Sequence, residues 1–182
     1  PAVGIGLPLI FSKITKRKNI GEIFVGFGLL FLGLNFLKKS VPNIKENPEI
    51  LEFLSNYTEL GFLSLLIFVG VGVILTIVVQ SSSAAMTITI TMAFNGWIDF
   101  PTAAALVLGE NIGTTITAYL ASLNANYHAK RTARAHMIFN LFGVIWMLIL
   151  FHWFTQWVDY LIPGNDIPIQ LSLFHTMFNI IN

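Results

Sequence analysis

From Gly61 to Val79 the chain runs for 19 residues without a charge, and it then meets four polar residues, Gln80-Ser81-Ser82-Ser83. A run of that length approaches the ~20 residues an α-helix needs to cross a bilayer. Hydrocarbon offers the backbone no hydrogen-bond partner. Spanning segments are therefore helical, and irregular backbone survives at membrane depth only where it is buried in protein or lines a cavity. The run and its abrupt polar end confine the chain to an all-α membrane protein, a polytopic helical bundle with broken helices or a re-entrant hairpin.

Composition extends that conclusion to the whole chain. Of its 182 residues 55% are hydrophobic and 10% charged, with a mean hydropathy of +0.75; soluble domains carry about 25% charged residues. A net charge of +1 supplies no basic face for nucleic acid. With no cysteine, disulfides and Cys-based metal or nucleophile chemistry are excluded. No nucleophile–base pair, metal set or cofactor loop is visible, so neither an enzyme nor a bound cofactor is expected. The chain opens at Pro1 without an initiator Met or leader features and closes at Asn182 inside an apolar stretch, and so reads as a fragment.

Residues 1–11 read as the tail of a membrane segment, followed by a basic loop with Lys13, Lys16, Arg17 and Lys18. Residues 20–37 suit a full helix, in which Gly21, Gly28 and Gly33 could mark a close-packing face. Residues 41–59 combine Glu46, Glu49, Glu52 and Glu59 with apolar residues at helical spacing, the pattern of an amphipathic interfacial helix. After the polar break, Ala84–Ile98 forms a second apolar stretch threaded with Thr87, Thr89 and Thr91. Asp99 and Pro101 restart a helix as N-cap and first-turn proline. That helix is expected to be interrupted at Gly109–Thr115 and to run on to about Leu123. A basic loop with His128, Lys130, Arg131 and Arg134 precedes a span at roughly 135–158, and another begins near Leu171. Trp97, Trp146, Trp153 and Trp157 read as interface anchors.

Loops 12–19 and 124–134 hold seven of the ten Lys/Arg residues, and loop 159–170 holds none. The positive-inside rule places the two basic loops in the cytoplasm. Between them the chain must return inside by an odd number of crossings. Three crossings satisfy this, and so does a re-entrant hairpin followed by one. Lys38, Lys39 and Lys45 run against the rule on the outer side, softened by snorkelling and nearby glutamates.

A broken helix exposes N–H groups at the start of its second half, where the dipole favours an anion. The carbonyls left free at the end of the first half suit a cation such as sodium, and this is the layout of ion-coupled transporters. Ser81, Ser82 and Ser83 offer consecutive hydroxyls to an oxyanion, and Gln80 can donate and accept. In the Gly109–Thr115 cluster, Asn111, Thr114 and Thr115 supply oxygens, while the Gly-Lys-Ser/Thr ending of a nucleotide loop is missing. Glu110 is the one acid expected at membrane depth, a functional position by default. A carboxylate repels phosphate, so Glu110 is expected to face a cation, carry a proton or point away. The threonines of 87–91 are expected to bond back to their own helix. His136-x-x-Phe139-Asn140 and His175-x-x-Phe178-Asn179 echo one another, which supports a repeat architecture. Each His–Asn pair is read as making helix-packing hydrogen bonds.

The ordered set Gln80-Ser-Ser-Ser-Ala84, Gly109-Glu-Asn-Ile-Gly-Thr-Thr115 and His136-x-x-Phe-Asn140 resembles the sodium-dependent phosphate cotransporter family, the type II symporters and their bacterial relatives. That family is built from two inverted repeats, each with a Gln-Ser-Ser-Ser motif, and moves phosphate with sodium. The chain resembles the second repeat, half of an inverted-repeat transporter. The resemblance implies linking helices and an external amphipathic helix over 1–59, a transport unit over 60–158, and an outer loop with the start of the next helix over 159–182. It implies that Gln80, Ser81, Ser82, Ser83, Asn111, Thr114 and Thr115 contact substrate. Sodium, the coupling ion, would draw on Gln80, Ser83, Glu110, Asn111 and Thr115. The family usually carries a small residue where Glu110 stands, a departure that bears on ion stoichiometry and substrate.

The expected function is sodium-coupled symport of inorganic phosphate by alternating access. The expected setting is the plasma membrane (the inner membrane in a bacterium), multi-pass in the lipid bilayer and with room for a homodimer. The alternatives are a proton-coupled or other-oxyanion transporter and a non-transporting membrane scaffold.

Overall fold

A computed structural model describes residues 1–40, 60–164 and 166–182, apart from the side chains at 34, 37, 38 and 40. The amphipathic helix expected over 41–59 lies outside the described residues. Among those described, seven α-helices and no strand occur: α1 (Ala2–Ile10), α2 (Thr15–Ser40), α3 (Phe62–Val79), α4 (Ser82–Phe94), α5 (Phe100–Ser122), α6 (Tyr127–Leu161) and α7 (Ile167–Ile181). They fall into two units, Pro1–Val41 and Pro42–Asn182.

In the first unit α1 and α2 form a close antiparallel pair. A Cβ at Gly6 would strike the Gly21 carbonyl and Val25, one at Gly21 would strike Ile10 and Gly6, and one at Gly28 would strike Val3. Gly21 and Gly28 therefore mark the close-packing face, whereas Gly33 has open space around it. Lys16, Arg17 and Lys18, expected in a loop, lie in the first turn of α2.

In the second unit α5 is central. Every residue from Ala103 to Leu108 is buried, which only a helix packed on all sides allows. Its neighbour α3 runs parallel to it: Gly72 sits against Leu106, Gly109 against Val69 and Val73, and Gly113 against Val73 and Thr76. This overturns the expected interruption at Gly109–Thr115, because α5 is one continuous helix from Phe100 to Ser122. Its glycines do not bend the backbone. They remove side chains so that α3 can approach, the usual role of small residues between membrane helices.

On α7, Phe174 gathers the far end of the bundle, meeting Phe100, Phe151 and Phe154 edge-on at 6.2, 6.1 and 5.4 Å between ring centroids. Trp146, partly buried, stacks on Phe178 at 6.2 Å beside this packing. Buried Gln170 donates to Asp159 Oδ1 at 2.8 Å and to the Ile162 carbonyl at 3.1 Å, closing the turn between α6 and α7.

The basic stretch 128–134, expected as a loop, forms the first two turns of α6 behind an Asn126 cap whose Oδ1 accepts from Ala129 N–H at 2.9 Å. Along α6, Ile138, Phe142, Ile145, Ile149 and Trp153 are each more than half exposed. Their spacing of three and four makes a continuous apolar stripe on the outside, which water would penalise and lipid accepts. Helices α3 and α6 are long and apolar enough to cross a membrane. The chain is an all-α membrane protein.

Candidate functional site

The break between α3 and α4 is two residues wide. Gln80 caps α3 in the left-handed region at φ 56° and ψ 22°, its N–H bonded to the Thr76 carbonyl at 2.7 Å. Among the described residues it is the one non-glycine with positive φ. Ser81 is extended and caps α4, its Oγ accepting from Ala84 N–H at 3.3 Å. One cap satisfies one of the orphan donors of a helix start. The N–H groups of Ser82 and Ser83 make no hydrogen bond among the described residues.

Ser82 and Ser83 open onto a cavity of about 800 Å³. Glu110, Asn111 and Thr114 of α5 face them across it, as do His136 and Asn140 of α6 and His175 and Asn179 of α7. Glu110 is buried, and its Oε1 accepts a 2.6 Å hydrogen bond from Thr89 Oγ1. Among the described residues no buried side-chain polar atom lacks a partner. The other carboxylate oxygen, which makes no hydrogen bond, must therefore be open to the cavity.

The cavity gathers Ser82, Ser83, Glu110, Asn111 and Thr114 from the residues singled out in the sequence. Three others stand apart from its lining. Gln80 is exposed at the elbow, Ser81 is engaged as a cap, and Thr115 is fully buried with its hydroxyl on the Ile112 carbonyl at 2.7 Å. Thr87 and Thr91 bond back to their own helix as expected, on the Ser83 and Thr87 carbonyls at 2.8 and 2.7 Å. Thr89 departs from that pattern by reaching Glu110.

Sequence reasoning missed the wall formed by α6 and α7. Both His-x-x-Phe-Asn motifs reach the cavity, and neither makes the helix-to-helix hydrogen bond expected of it. Asn140 and Asn179 instead donate to the carbonyls of His136 and His175, one turn back, at 3.1 and 2.8 Å. The signal was present as the echo between the motifs, which also fits two helices presenting the same face to one space.

Over residues 47–162 the chain matches the Na+/Pi-cotransporter family. It belongs to that family, a family of transporters rather than enzymes. It is 32% identical over 97% of its length to a Bacillus subtilis protein, "Uncharacterized protein YqeW". It is 29% and 28% identical over 93% of its length to the "Putative inorganic phosphate export protein YjbB" of Salmonella typhimurium and of Escherichia coli. The chain spans 55% of the length of the first and 30% of the other two. No solved structure matches it.

Proposed function

We propose that the protein carrying this chain moves inorganic phosphate across the membrane coupled to sodium, by alternating access, with this chain supplying half of the binding site. One observation carries the reading: a broken helix aims two unengaged N–H groups and the hydroxyls of Ser82 and Ser83 into a cavity whose opposite side holds Glu110, Asn111 and Thr114. Donors at a helix start suit the phosphate. Oxygen ligands suit sodium, a hard cation. A cation beside Glu110 offsets the repulsion its carboxylate would exert on an anion. Of the cavity-lining residues, Ser83, Glu110 and Asn111 are the proposed sodium contacts and Ser82, Ser83, Asn111 and Thr114 the proposed phosphate contacts. For Gln80, Ser81 and Thr115, which stand outside that lining, a contact with either requires a rearrangement during alternating access. The membrane is the plasma membrane, or the inner membrane in a bacterium.

The lengths of the helices support a re-entrant hairpin. Gly61 and Phe62 border one pocket with Asp99 and Pro101, and Phe94 borders another with Gly164 and Asp166. The hairpin α3–α4 therefore has both its ends at one end of the bundle. At 1.5 Å per residue, α4 is ~20 Å long, short of the ~30 Å hydrocarbon core. Helix α3 is long enough to cross on its own, so the short α4 carries the reading: a hairpin whose elbow at Gln80 stops inside the membrane, with α5, ~35 Å long, completing the passage between the two sides.

Purified protein in liposomes tests the assignment. Ser82→Ala and Ser83→Ala are each expected to abolish sodium-dependent movement of radiolabelled phosphate, measured in both directions, while the variants still insert. Full movement in both would overturn it. A second reading rests on the open carboxylate oxygen of Glu110, which could carry a proton in place of sodium. Phosphate movement that follows a pH gradient and ignores sodium would favour that reading.

A further inference from the structure

The wall of the cavity opposite the broken helix is built twice over from one two-point pattern. Each His-x-x-Phe-Asn motif places a histidine and, one turn on, an asparagine on the same cavity, from α6 and from α7. The hydrogen bonds fix how each asparagine faces. A backbone carbonyl can only accept, so the atom on the His136 carbonyl must be Asn140 Nδ2, and the atom on the His175 carbonyl must be Asn179 Nδ2. Each asparagine is thereby left with its Oδ1, an acceptor, unengaged among the described residues. Asn140 is buried, and no buried side-chain polar atom lacks a partner, so its Oδ1 must open onto the cavity it lines. The ring nitrogens of His136 and His175 make no hydrogen bond among the described residues, so each ring has an N–H to donate. Each motif therefore presents one donor and one fixed acceptor.

We propose that these two motifs form a recognition wall for a protonated oxyanion, with His136 and His175 donating to its bare oxygens and one asparagine oxygen, of Asn140 or Asn179, accepting from each P–OH it carries. The inference rests on the phosphate reading above and gives that site its selectivity. At neutral pH inorganic phosphate and arsenate keep at least one proton, whereas sulfate keeps none. Sulfate would leave the asparagine oxygens facing an anion oxygen with no hydrogen between them. A site built to hydrogen-bond a hydroxyl rejects the analogue that lacks one by on the order of 10⁴-fold in favourable cases. Two neutral amide acceptors should give a preference of at least about 100-fold on the same grounds. The N–H groups at the start of α4 offer donors alone and serve either anion equally. Glu110 and Asn111, whose Nδ2 is likewise held by a carbonyl one turn back, add acceptors on α5, so the double variant below reads the share of the discrimination that belongs to the α6–α7 wall.

The test is competition against radiolabelled phosphate in liposomes holding the full protein. In the unmodified protein arsenate should compete at concentrations similar to phosphate, and sulfate should fail to compete at about 100-fold excess. Asn140→Leu with Asn179→Leu removes both acceptors, and should weaken phosphate while bringing sulfate competition within about tenfold of it. His136→Ala should weaken both anions together and leave their ratio unchanged. Sulfate competing as well as arsenate in the unmodified protein overturns the proposal without any variant. An unchanged phosphate-to-sulfate ratio in the double variant overturns it too. Failure of the unmodified protein to move phosphate at all would instead overturn the underlying function, so the two failures are distinguishable.

Discussion

Thr89 departs from the other threonines of α4 because a stronger acceptor is within reach. Its hydroxyl donates to the Glu110 carboxylate at 2.6 Å, whereas Thr87 and Thr91 settle for carbonyls of their own helix. Thr89→Val keeps the shape and removes the donor, leaving a buried carboxylate oxygen unpaired at a cost of about 1–3 kcal/mol. The thermal midpoint in detergent should fall for Thr89→Val and stay near the parent for Thr89→Ser; equal midpoints for both would remove the bond's importance. Gln80 gives the opposite dissociation. Its left-handed backbone costs a residue with a Cβ about 1 kcal/mol, so Gln80→Gly should stabilise the fold by about that amount. If the Gln80 side chain contacts cargo or sodium, the same variant loses transport; a stabler protein with undiminished transport would exclude that role. Residue identity alone could nominate Gln80, Ser82, Glu110 and Asn111, because polar groups in an apolar run need a reason to be there. It could not separate Ser81, engaged as a cap, from Ser82 and Ser83 on the cavity, because that depends on where the helix restarts.

Among the elements, α5 shows why one break was legible and the other was misplaced. Both the Gln80–Ser83 and the Gly109–Thr115 clusters carry polar residues in an apolar context. Only the first ends a helix. Glycine adopts the left-handed region freely but also permits close approach of two backbones, and local sequence does not say which use is made. Contact with α3 decides it: a Cβ at Gly72 would meet the Leu106 backbone, and one at Gly109 would meet that of Val69. Backbone cannot yield as a side-chain tip can. Gly72→Ala should therefore destabilise the protein by about 1–3 kcal/mol, in line with overpacking elsewhere. Gly70→Ala, on the same helix with open space around it, is the matched control and should leave the midpoint unchanged. Equal effects at the two positions would mean that α3 and α5 do not pack through these glycines. The start of α6 was missed for a related reason. Three basic residues in its first turns oppose the helix dipole, a local signal for a loop that the Asn126 cap and the length of the helix override.

At the scale of the second unit, the direction of insertion links the loop charges to the site. Residues 95–99 and 162–164 share one end of the bundle, where Phe94 and Gly164 border one pocket. The turn at 123–126 lies at the other end, beyond the full length of α5. The cavity lies toward that second end, since its lining includes His136, three turns into α6. Lys130, Arg131 and Arg134 stand there as well, and the one ion pair among the described residues is Lys18–Glu22, in the other unit. If the positive-inside rule holds, the basic end is cytoplasmic and the hairpin enters from outside. The absence of cysteine makes this directly measurable, because any introduced thiol is the sole target in this chain. Asn124→Cys should react with a membrane-impermeant maleimide only after the cytoplasmic face is exposed. Asn95→Cys and Pro163→Cys, exposed in the two turns at the other end, should both react from outside in intact cells. The pair also separates the hairpin from three full crossings. A thiol at Ser81, the elbow, should resist the reagent from outside if the elbow is embedded, reaching it only through the cytoplasm-facing cavity. If three segments cross, it should instead label as completely as Asn124→Cys. External labelling at 124, or opposite sidedness at 95 and 163, would invert or dismantle the arrangement. With it would go the cytoplasmic placement of Lys130, Arg131 and Arg134 at the end of the bundle toward which the cavity lies.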